Sequence, residues 1–247
     1  MIINITNEQL AHEREIMEAL KDFDTPSITN VVATYPADKV HCLGLYNPWY
    51  GKWYTDQSLK CMFPELGRLV GYVVTCTYGL PDPNYKKGGL IGPVFDAIKA
   101  SPQPVILVVK QDMPDDIKNR NGLLGGNMMT SFKNAGIVGV ISDGPSRDVD
   151  EIRPMGLQYM LTGVCAGHGT FALQAINDSV EVCGMMVRPG DIIHMDESGA
   201  VKFPREYLDD VFERVTKLKK SEEKKQAMLA KAKSGAEIDS ILREQYI

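Results

Sequence analysis

The chain contains no stretch approaching about 18 consecutive apolar residues, so no membrane-crossing helix is expected. Its first residues, MIINITNEQLAHERE, lack a basic region followed by an apolar run, which argues against a signal peptide. No C-x-x-C pair occurs. The five cysteines (Cys42, Cys61, Cys76, Cys165 and Cys183) are odd in number and widely spaced, fitting neither a disulfide framework nor a zinc site. They read as reduced thiols of a cytoplasmic protein, each a small buried hydrophobe. No basic stripe is present either. Lys and Arg total 27 against 32 Asp and Glu, a net charge of −5, and a chain so balanced is poorly suited to neutralising nucleic-acid phosphates. Internal repeats and flexible linkers are also absent.

What is present suits one α/β domain. Hydrophobic residues make up 44% of the 247, enough for a core without covalent or metal staples. The expected organisation is N-terminal helices over 1–36, a core over 37–204 and a helical tail over 205–247. A first helix should start at Thr6, where Thr6 and Gln9 form a capping box and Ile5 can staple onto Leu10. A second should start at Thr25, with Pro26 in its first turn, and run to about Tyr35, where Pro36 stops it. The aromatic segment Tyr46–Tyr54 (YNPWYGKWY) reads as packing or a subunit interface, with a lid or a surface that stacks on a sugar acid as the alternatives. Strands are expected over 69–77, 104–110, 137–142, near 158–163, 180–187, 191–196 and 200–203. Residues 81–89 read as a loop, 90–100 as a helix. In the tail, Leu208, Val211, Phe212, Val215 and Leu218 form one apolar stripe, while KLKKSEEKK (217–225) reads as a solvated face.

The middle of the chain is the most legible part. PVILVVK (104–110) and IVGVIS (137–142) are continuous apolar runs of the kind buried on both faces of a parallel sheet. A helix over 127–134, closed by Gly136, would join them as a β-α-β unit. Both loops leaving the strands would then open at one carboxyl edge, where α/β sheets bind ligands. Gly125 and Gly126 precede the helix, and the amides of Gly125, Gly126, Asn127 and Met128 would favour an anion such as a carboxylate. The other loop presents Arg147, a permanent cation, beside Asp148, an oxygen donor for a hard divalent ion. Such a pair can polarise the carbonyl of a 2-oxo acid and stabilise an enolate. An adjacent Arg-Asp pair also serves as a surface pair or helix cap. Asp143 would hydrogen-bond backbone or orient Arg147. His168, in AGHGT, is a candidate proton shuttle or an ordinary loop histidine. Lys110 is a minor Schiff-base candidate. His194, alternating within a strand, reads as structural. His12 and His41 carry nothing distinctive.

GIVGVISDGPSRD (136–148) resembles the G-x-x-G-x-x-x-D-G-x-x-R-D core of the RraA-like family. That family includes 4-hydroxy-4-methyl-2-oxoglutarate aldolases, oxaloacetate decarboxylases and a ribonuclease E inhibitor. VRPGDIIHMDESGAVKFP (187–204) resembles its V-x-P-G-D…D-x-x-G-V…P segment, and 25–31 its early helix, with Asn30 where an acid is usual. The resemblance implies a swivelling β/β/α fold, a homotrimer or dimer of trimers, and a site between subunits. It implies that Asp148 helps bind Mg2+ or Mn2+ largely through waters, that Arg147 faces the substrate carbonyl oxygen, and that amides around Gly125–Met128 hold its carboxylate. The implied activity is divalent-metal-dependent carbon–carbon bond cleavage of a small 2-oxo acid, by retro-aldol reaction or decarboxylation. Two alternatives stand beside it: a non-catalytic ring that regulates a ribonuclease by protein contact, and a lyase or hydratase for a sugar-derived acid. No methyl-donor fingerprint supports the methyltransferase label sometimes attached to such chains. One departure matters. The family's aldolases carry an acid twenty-one positions before the arginine, and here that position is Gly126. The general acid/base is thereby unassigned, with Asp112, Asp115 and Asp116 as substitutes in the preceding loop.

Overall fold

A computed structural model describes residues 6–35, 38–82 and 89–243. Helix α1 (Asn7–Leu20) begins as its capping box dictates. The Thr6 hydroxyl accepts from the Gln9 N–H at 3.2 Å, and the Gln9 side chain accepts from the Thr6 N–H at 3.0 Å. The staple from Ile5 lies outside the described residues. Helix α2 (Thr25–Val32) is capped by Asp24, whose carboxylate accepts from the Ser27 N–H at 2.8 Å. It ends at Val32, short of the expected Tyr35. The N–H groups of Leu43, Leu45 and Gly44 take the carbonyls of Val31, Val32 and Ala33 at 2.7, 3.0 and 3.1 Å, so a tertiary strand-like contact stops the helix there. Pro36, the expected stop, lies outside the described residues, as does most of the expected loop 81–89.

Strands β1 (Lys60–Cys61), β2 (Leu69–Gly79), β3 (Val105–Asp112), β4 (Ile137–Ser142) and β5 (Gln158–Leu161) build the sheet with three later ones, β6 (Ala172–Ile176), β9 (Ile192–Asp196) and β10 (Gly199–Phe203). The path runs β1-β5-β4-β3-β2-β9-β10, and β2 through β5 are parallel neighbours. β2 is long enough to hold two antiparallel partners on its far side. Its first residues pair with β9 and its last with β6. Between β6 and β9, the expected single strand over 180–187 is a hairpin, β7 (Val180–Val182) and β8 (Met185–Val187). Cys183 and Gly184 turn it with φ of 45° and 78°, the pair of positive values that a tight two-residue hairpin needs.

The remaining helices are α3 (Gly92–Ala100), α4 (Asp115–Lys118), α5 (Gly126–Ala135), α6 (Val149–Ile152), α7 (Leu208–Leu229) and α8 (Gly235–Arg243). Alternate residues of β3 face two layers, because strand side chains point to opposite faces. Val105, Leu107 and Val109 pack with Val94 and Ile98 of α3 and Phe132 of α5. Ile106 and Val108 pack with Val180, Val182 and Met185 of the hairpin. Hairpin, sheet and helices therefore stack as β/β/α, the layering expected from the resemblance. Truncating a core member such as Leu107 to Ala would cost about 2–5 kcal/mol.

A third cluster joins the ends of the chain. α1, α2 and α7 meet around Val70, Tyr72, Val201 and Phe203, with Leu208, Val211, Val215 and Leu218 of α7 buried and Phe212 partly so. Most of 217–225 is exposed apart from Leu218. Of the cysteines, Cys76 alone is fully buried. The other four are half-buried, and all five are free. Strands β1 and β6 and helix α4 were not anticipated: β1 is two residues long, and ALQAI in β6 carries no β-branched alternation.

Candidate functional site

β3 and β4 are parallel neighbours joined through α5, so the loops that follow them open at the same sheet edge. A cavity of about 460 Å³ lies there, lined by Arg147, Asp148, Glu151, His168 and residues from the start of α5.

The N-terminus of α5 begins this site. Gly125 precedes the helix in extended geometry, and Gly126 is its first residue. A helix start leaves N–H groups without partners in its own backbone. One of them is taken: the Gly126 N–H donates to Asp148 Oδ2 at 2.9 Å. The N–H groups of Asn127 and Met128 make no hydrogen bond among the described residues and face an anion's natural position. The Gly125 N–H donates to the Leu123 carbonyl at 3.1 Å, so of the expected four-amide cradle two amides are engaged and two remain.

Side chains crowd both glycines. A Cβ on Gly125 would lie 2.6 Å from Asp148 Oδ2 and 3.0 Å from Arg147 Nε, and one on Gly126 would lie 2.1 Å from Glu151 Oε2. Two carboxylates therefore press against two successive glycines.

Asp148 reaches the helix because its backbone is left-handed, with φ of 59°. For a residue other than glycine this conformation is unfavourable and is held by its surroundings. It opens α6, placing Glu151 three residues on and Ile152 in the core. Arg147 Nε lies 3.4 Å from Asp148 Oδ2, within ion-pair range, yet is buried with no hydrogen-bond partner among the described residues. Its side chain is about one-third exposed and borders the cavity.

Beneath Arg147, a buried network holds the loop. The Tyr159 hydroxyl sits against the Leu124 carbonyl and the Ser146 hydroxyl, and Ser146 donates to the same carbonyl at 2.6 Å. Burial pushes the Tyr159 phenol well above its ordinary pKa, so it remains a donor. A second network starts from fully buried Gln111 on β3. Its amide donates to the Pro145 carbonyl at 3.1 Å and accepts from Asn121 at 3.2 Å, while Asn121 accepts from the Gly169 N–H at 3.3 Å. Gly144 is needed here, since a Cβ would lie 2.4 Å from the Gln111 side chain. This network ties the Arg147 turn to the loop that carries His168, whose ring faces Phe171 at 5.9 Å. Sequence reading missed Gln111, Asn121, Ser146, Tyr159 and Glu151. Nothing in their sequence surroundings set them apart: even Gln111 stands between Lys110 and Asp112 at the polar end of β3.

The cavity brings together Gly125, Asn127, Met128, Arg147, Asp148 and His168. Other candidates lie elsewhere. Asp143 accepts from Lys110 Nζ at 2.6 Å and from the Gln111 N–H at 2.7 Å, so it secures the strand ends and does not contact Arg147. Lys110 is held as that ion-pair partner, off the cavity. Asp115 pairs with Lys118 at 3.2 Å, and neither it nor Asp112 or Asp116 lines the cavity. The aromatic segment does not reach this site. Trp53 is buried and stacked on Tyr46 at 5.3 Å, and Trp53 and Tyr54 border a separate cavity of about 260 Å³. His194 is buried between the Thr25 hydroxyl and the Leu20 carbonyl, the structural role expected of it.

For a divalent ion, no group of three or more His, Cys, Asp or Glu suited to a metal occurs among the described residues. Asp148 still fits one held mainly through water. It is a hard oxygen donor on the cavity wall, and only its Oδ2 is engaged within the chain.

The RraA-like family profile (Aldolase/RraA) matches residues 46–202. The chain belongs to the RraA-like family. A putative 4-hydroxy-4-methyl-2-oxoglutarate aldolase of Albidiferax ferrireducens is 35% identical over 88 residues, 33% of this chain and 48% of that one. Among solved structures, an uncharacterized protein from Pseudomonas syringae superposes with a TM-score of 0.69 at 18% identity, covering 94% of each chain. RraAS2 of Streptomyces coelicolor, described as an unusual member of the RNase ES inhibitor RraA protein family, gives 0.64 at 18% identity, covering 86% of this chain and 96% of that one. These superpositions establish the RraA-type fold. Matches to curated relatives span 52%, 28% and 48% of those relatives' own lengths. The RraA-like family thus contains both aldolases and ribonuclease inhibitors. No helix among the described residues is long and apolar enough to cross a membrane.

Proposed function

We propose that this RraA-like protein is a carbon–carbon lyase that cleaves a small 2-oxo acid, by retro-aldol reaction of a 4-hydroxy-2-oxo acid or by decarboxylation of a β-keto acid. The observation that carries the reading is the meeting of Arg147, Asp148 and the amides of Asn127 and Met128 in one cavity. The aldolase name of the Albidiferax relative supports the substrate class.

The substrate carboxylate rests on the Asn127 and Met128 N–H groups at the start of α5, where the helix dipole favours negative charge. Arg147 faces the C2 oxygen. As the bond at C3 breaks, its electron pair moves toward that oxygen, and a fixed guanidinium stabilises the enolate more than the neutral ketone. Stabilising charge that appears only in the transition state is what raises the rate. A divalent cation, Mg2+ or Mn2+, would be held by Asp148 and would supply Lewis-acid polarisation of the carbonyl. The Gly126 N–H and the left-handed backbone at Asp148 keep that carboxylate aimed at the cavity without the side-chain freedom of a surface acid. His168 stands at the cavity rim as a group able to bind or exchange protons with the leaving half. The assembly that accompanies this reading is a trimer or dimer of trimers, with a neighbouring subunit completing the site.

The test is pyruvate release from oxaloacetate and from 4-hydroxy-2-oxo diacids, with Mg2+ and then with EDTA. Release that EDTA abolishes is the expected result. No release from any of them with metal present would overturn the lyase reading and favour the alternative, a ring that acts by binding protein.

A further inference from the structure

The proposed chemistry needs a group that moves a proton, and most of the chain's nearby acids are committed elsewhere. Asp143 is locked by Lys110 and the Gln111 N–H, and Asp115 by Lys118. Asp148 is engaged by the Gly126 N–H and faces Arg147. Glu151 differs from all of these. It is exposed, lines the same cavity as Arg147, and its carboxylate makes no hydrogen bond or ion pair among the described residues.

Its position is nonetheless defined. α6 starts at left-handed Asp148 and is anchored by buried Ile152, so residues 148 and 151, three apart, share one helical face. That face lies against Gly125 and Gly126. A Cβ on Gly126 would fall 2.1 Å from Glu151 Oε2 and 3.3 Å from its carboxyl carbon. A Cβ essentially never lies within about 3 Å of another heavy atom, so a side chain on residue 126 would displace the Glu151 carboxylate from where it now sits. Glycine at 126 leaves that space to the carboxylate.

We infer that Glu151 is the proton-transferring carboxylate of the site. The inference rests on the lyase reading above. In the retro-aldol direction, the Glu151 carboxylate takes the proton of the C4 hydroxyl. The C3–C4 bond breaks, C4 leaves as a carbonyl, and the bonding pair becomes the enolate with its charge on the C2 oxygen beside Arg147. The Glu151 carboxylic acid then returns the proton to C3, giving the shorter 2-oxo acid and restoring the carboxylate. In a decarboxylation, the pair left by departing carbon dioxide is protonated at C3 in the same way, and Glu151 is reprotonated from water. The acid that Gly126 lacks is, on this assignment, supplied from α6.

The test uses the full chain with Mg2+ and two signals: pyruvate released from the substrate panel, and exchange of pyruvate C3 hydrogens for deuterium in D2O, read by proton NMR. Exchange reports proton transfer without carbon–carbon cleavage. Glu151→Gln should lose roughly 10²–10⁴-fold in both signals while its melting temperature is unchanged. Formate should restore part of the exchange to Glu151→Ala, and so should Gly126→Asp in the Glu151→Ala background, where space for the new side chain has been opened. Wild-type signals in Glu151→Gln would overturn the assignment and leave the lyase reading standing. So would losses that track a lowered melting temperature and that neither formate nor Gly126→Asp repairs, since Glu151 would then be structural. Silence of the wild-type protein in both signals would overturn the lyase reading and this assignment with it.

Discussion

Asp148 Oδ2 accepts the Gly126 N–H at 2.9 Å, so the residue that ends the Arg147 loop also caps α5, the helix that leads into β4. One carboxylate thereby joins the two loops of the β-α-β unit and stands on the wall of the cavity.

These two roles separate in Asp148→Asn. The asparagine side-chain oxygen can still accept from Gly126, so the cap survives and stability should change by less than about 1 kcal/mol. The charge is lost, and Mn2+ affinity measured by calorimetry should fall at least about tenfold, since hard cations select anionic oxygen. Unaltered affinity would remove Asp148 from the metal site.

Gly125→Ala tests the packing of Arg147 and Asp148. The added methyl would meet Asp148 Oδ2 at 2.6 Å and Arg147 Nε at 3.0 Å, so both must move. A shift near 1 Å in catalytic groups costs roughly 10² in turnover. Gly167→Ala is the control, because nothing lies within 4 Å of its Cβ position and turnover should hold. Equal kinetics in the two variants would contradict the site geometry.

Tyr159→Phe removes a buried hydroxyl set against the Leu124 carbonyl and Ser146. The expected loss is about 1–3 kcal/mol in urea unfolding. Turnover should fall as well, because Ser146 immediately precedes Arg147. A stability loss with turnover intact would show that the network supports the fold without positioning Arg147.

His194 makes stability depend on pH. Burial pushes its pKa down to about 4, and it stays neutral between the Thr25 hydroxyl and the Leu20 carbonyl. Unfolded, it titrates near its ordinary 6.5. Above pH 6.5 neither state binds this proton and the stabilisation is complete. As pH falls from 6.5 toward 4, only the unfolded chain takes up the proton, and stability drops by up to roughly 1.4 kcal/mol per pH unit. Urea unfolding across that window should show the slope in the native protein and lose most of it in His194→Asn. The same slope in both would assign it to other groups.

The elements most legible in sequence were those whose signals are local. PVILVVK and IVGVIS announce strands buried on both faces, and the structure places them as parallel neighbours. The Thr6–Gln9 capping box and the apolar stripe of α7 behave as their patterns dictate. The end of α2 was misplaced because distant N–H groups from 43–45 take its carbonyls. The 180–187 hairpin was hidden because its turn depends on positive φ at Cys183, a residue type that seldom adopts it.

At the site, residue chemistry was legible and partnership was not. GGNM and SRD mark a helix start and an ion pair by composition alone, and both border the cavity. Asp143 stands four residues before Arg147 in sequence, yet it turns to Lys110 across the parallel ladder. Glu151 carried no signal in an acidic stretch of the chain, and its importance comes from the empty space on Gly126, twenty-five positions earlier.

Backbone periodicity, turn chemistry and fixed charge act within a few residues, and they suffice for the buried strands, the glycine-led helix start and the Arg147–Asp148 pair. Contacts between distant segments settle which carboxylates face the cavity, which one is paired with a lysine, and where the helix amides are already occupied. Those outcomes depend on distances between segments far apart in the chain, where a shift of about 1 Å decides whether a hydrogen bond forms.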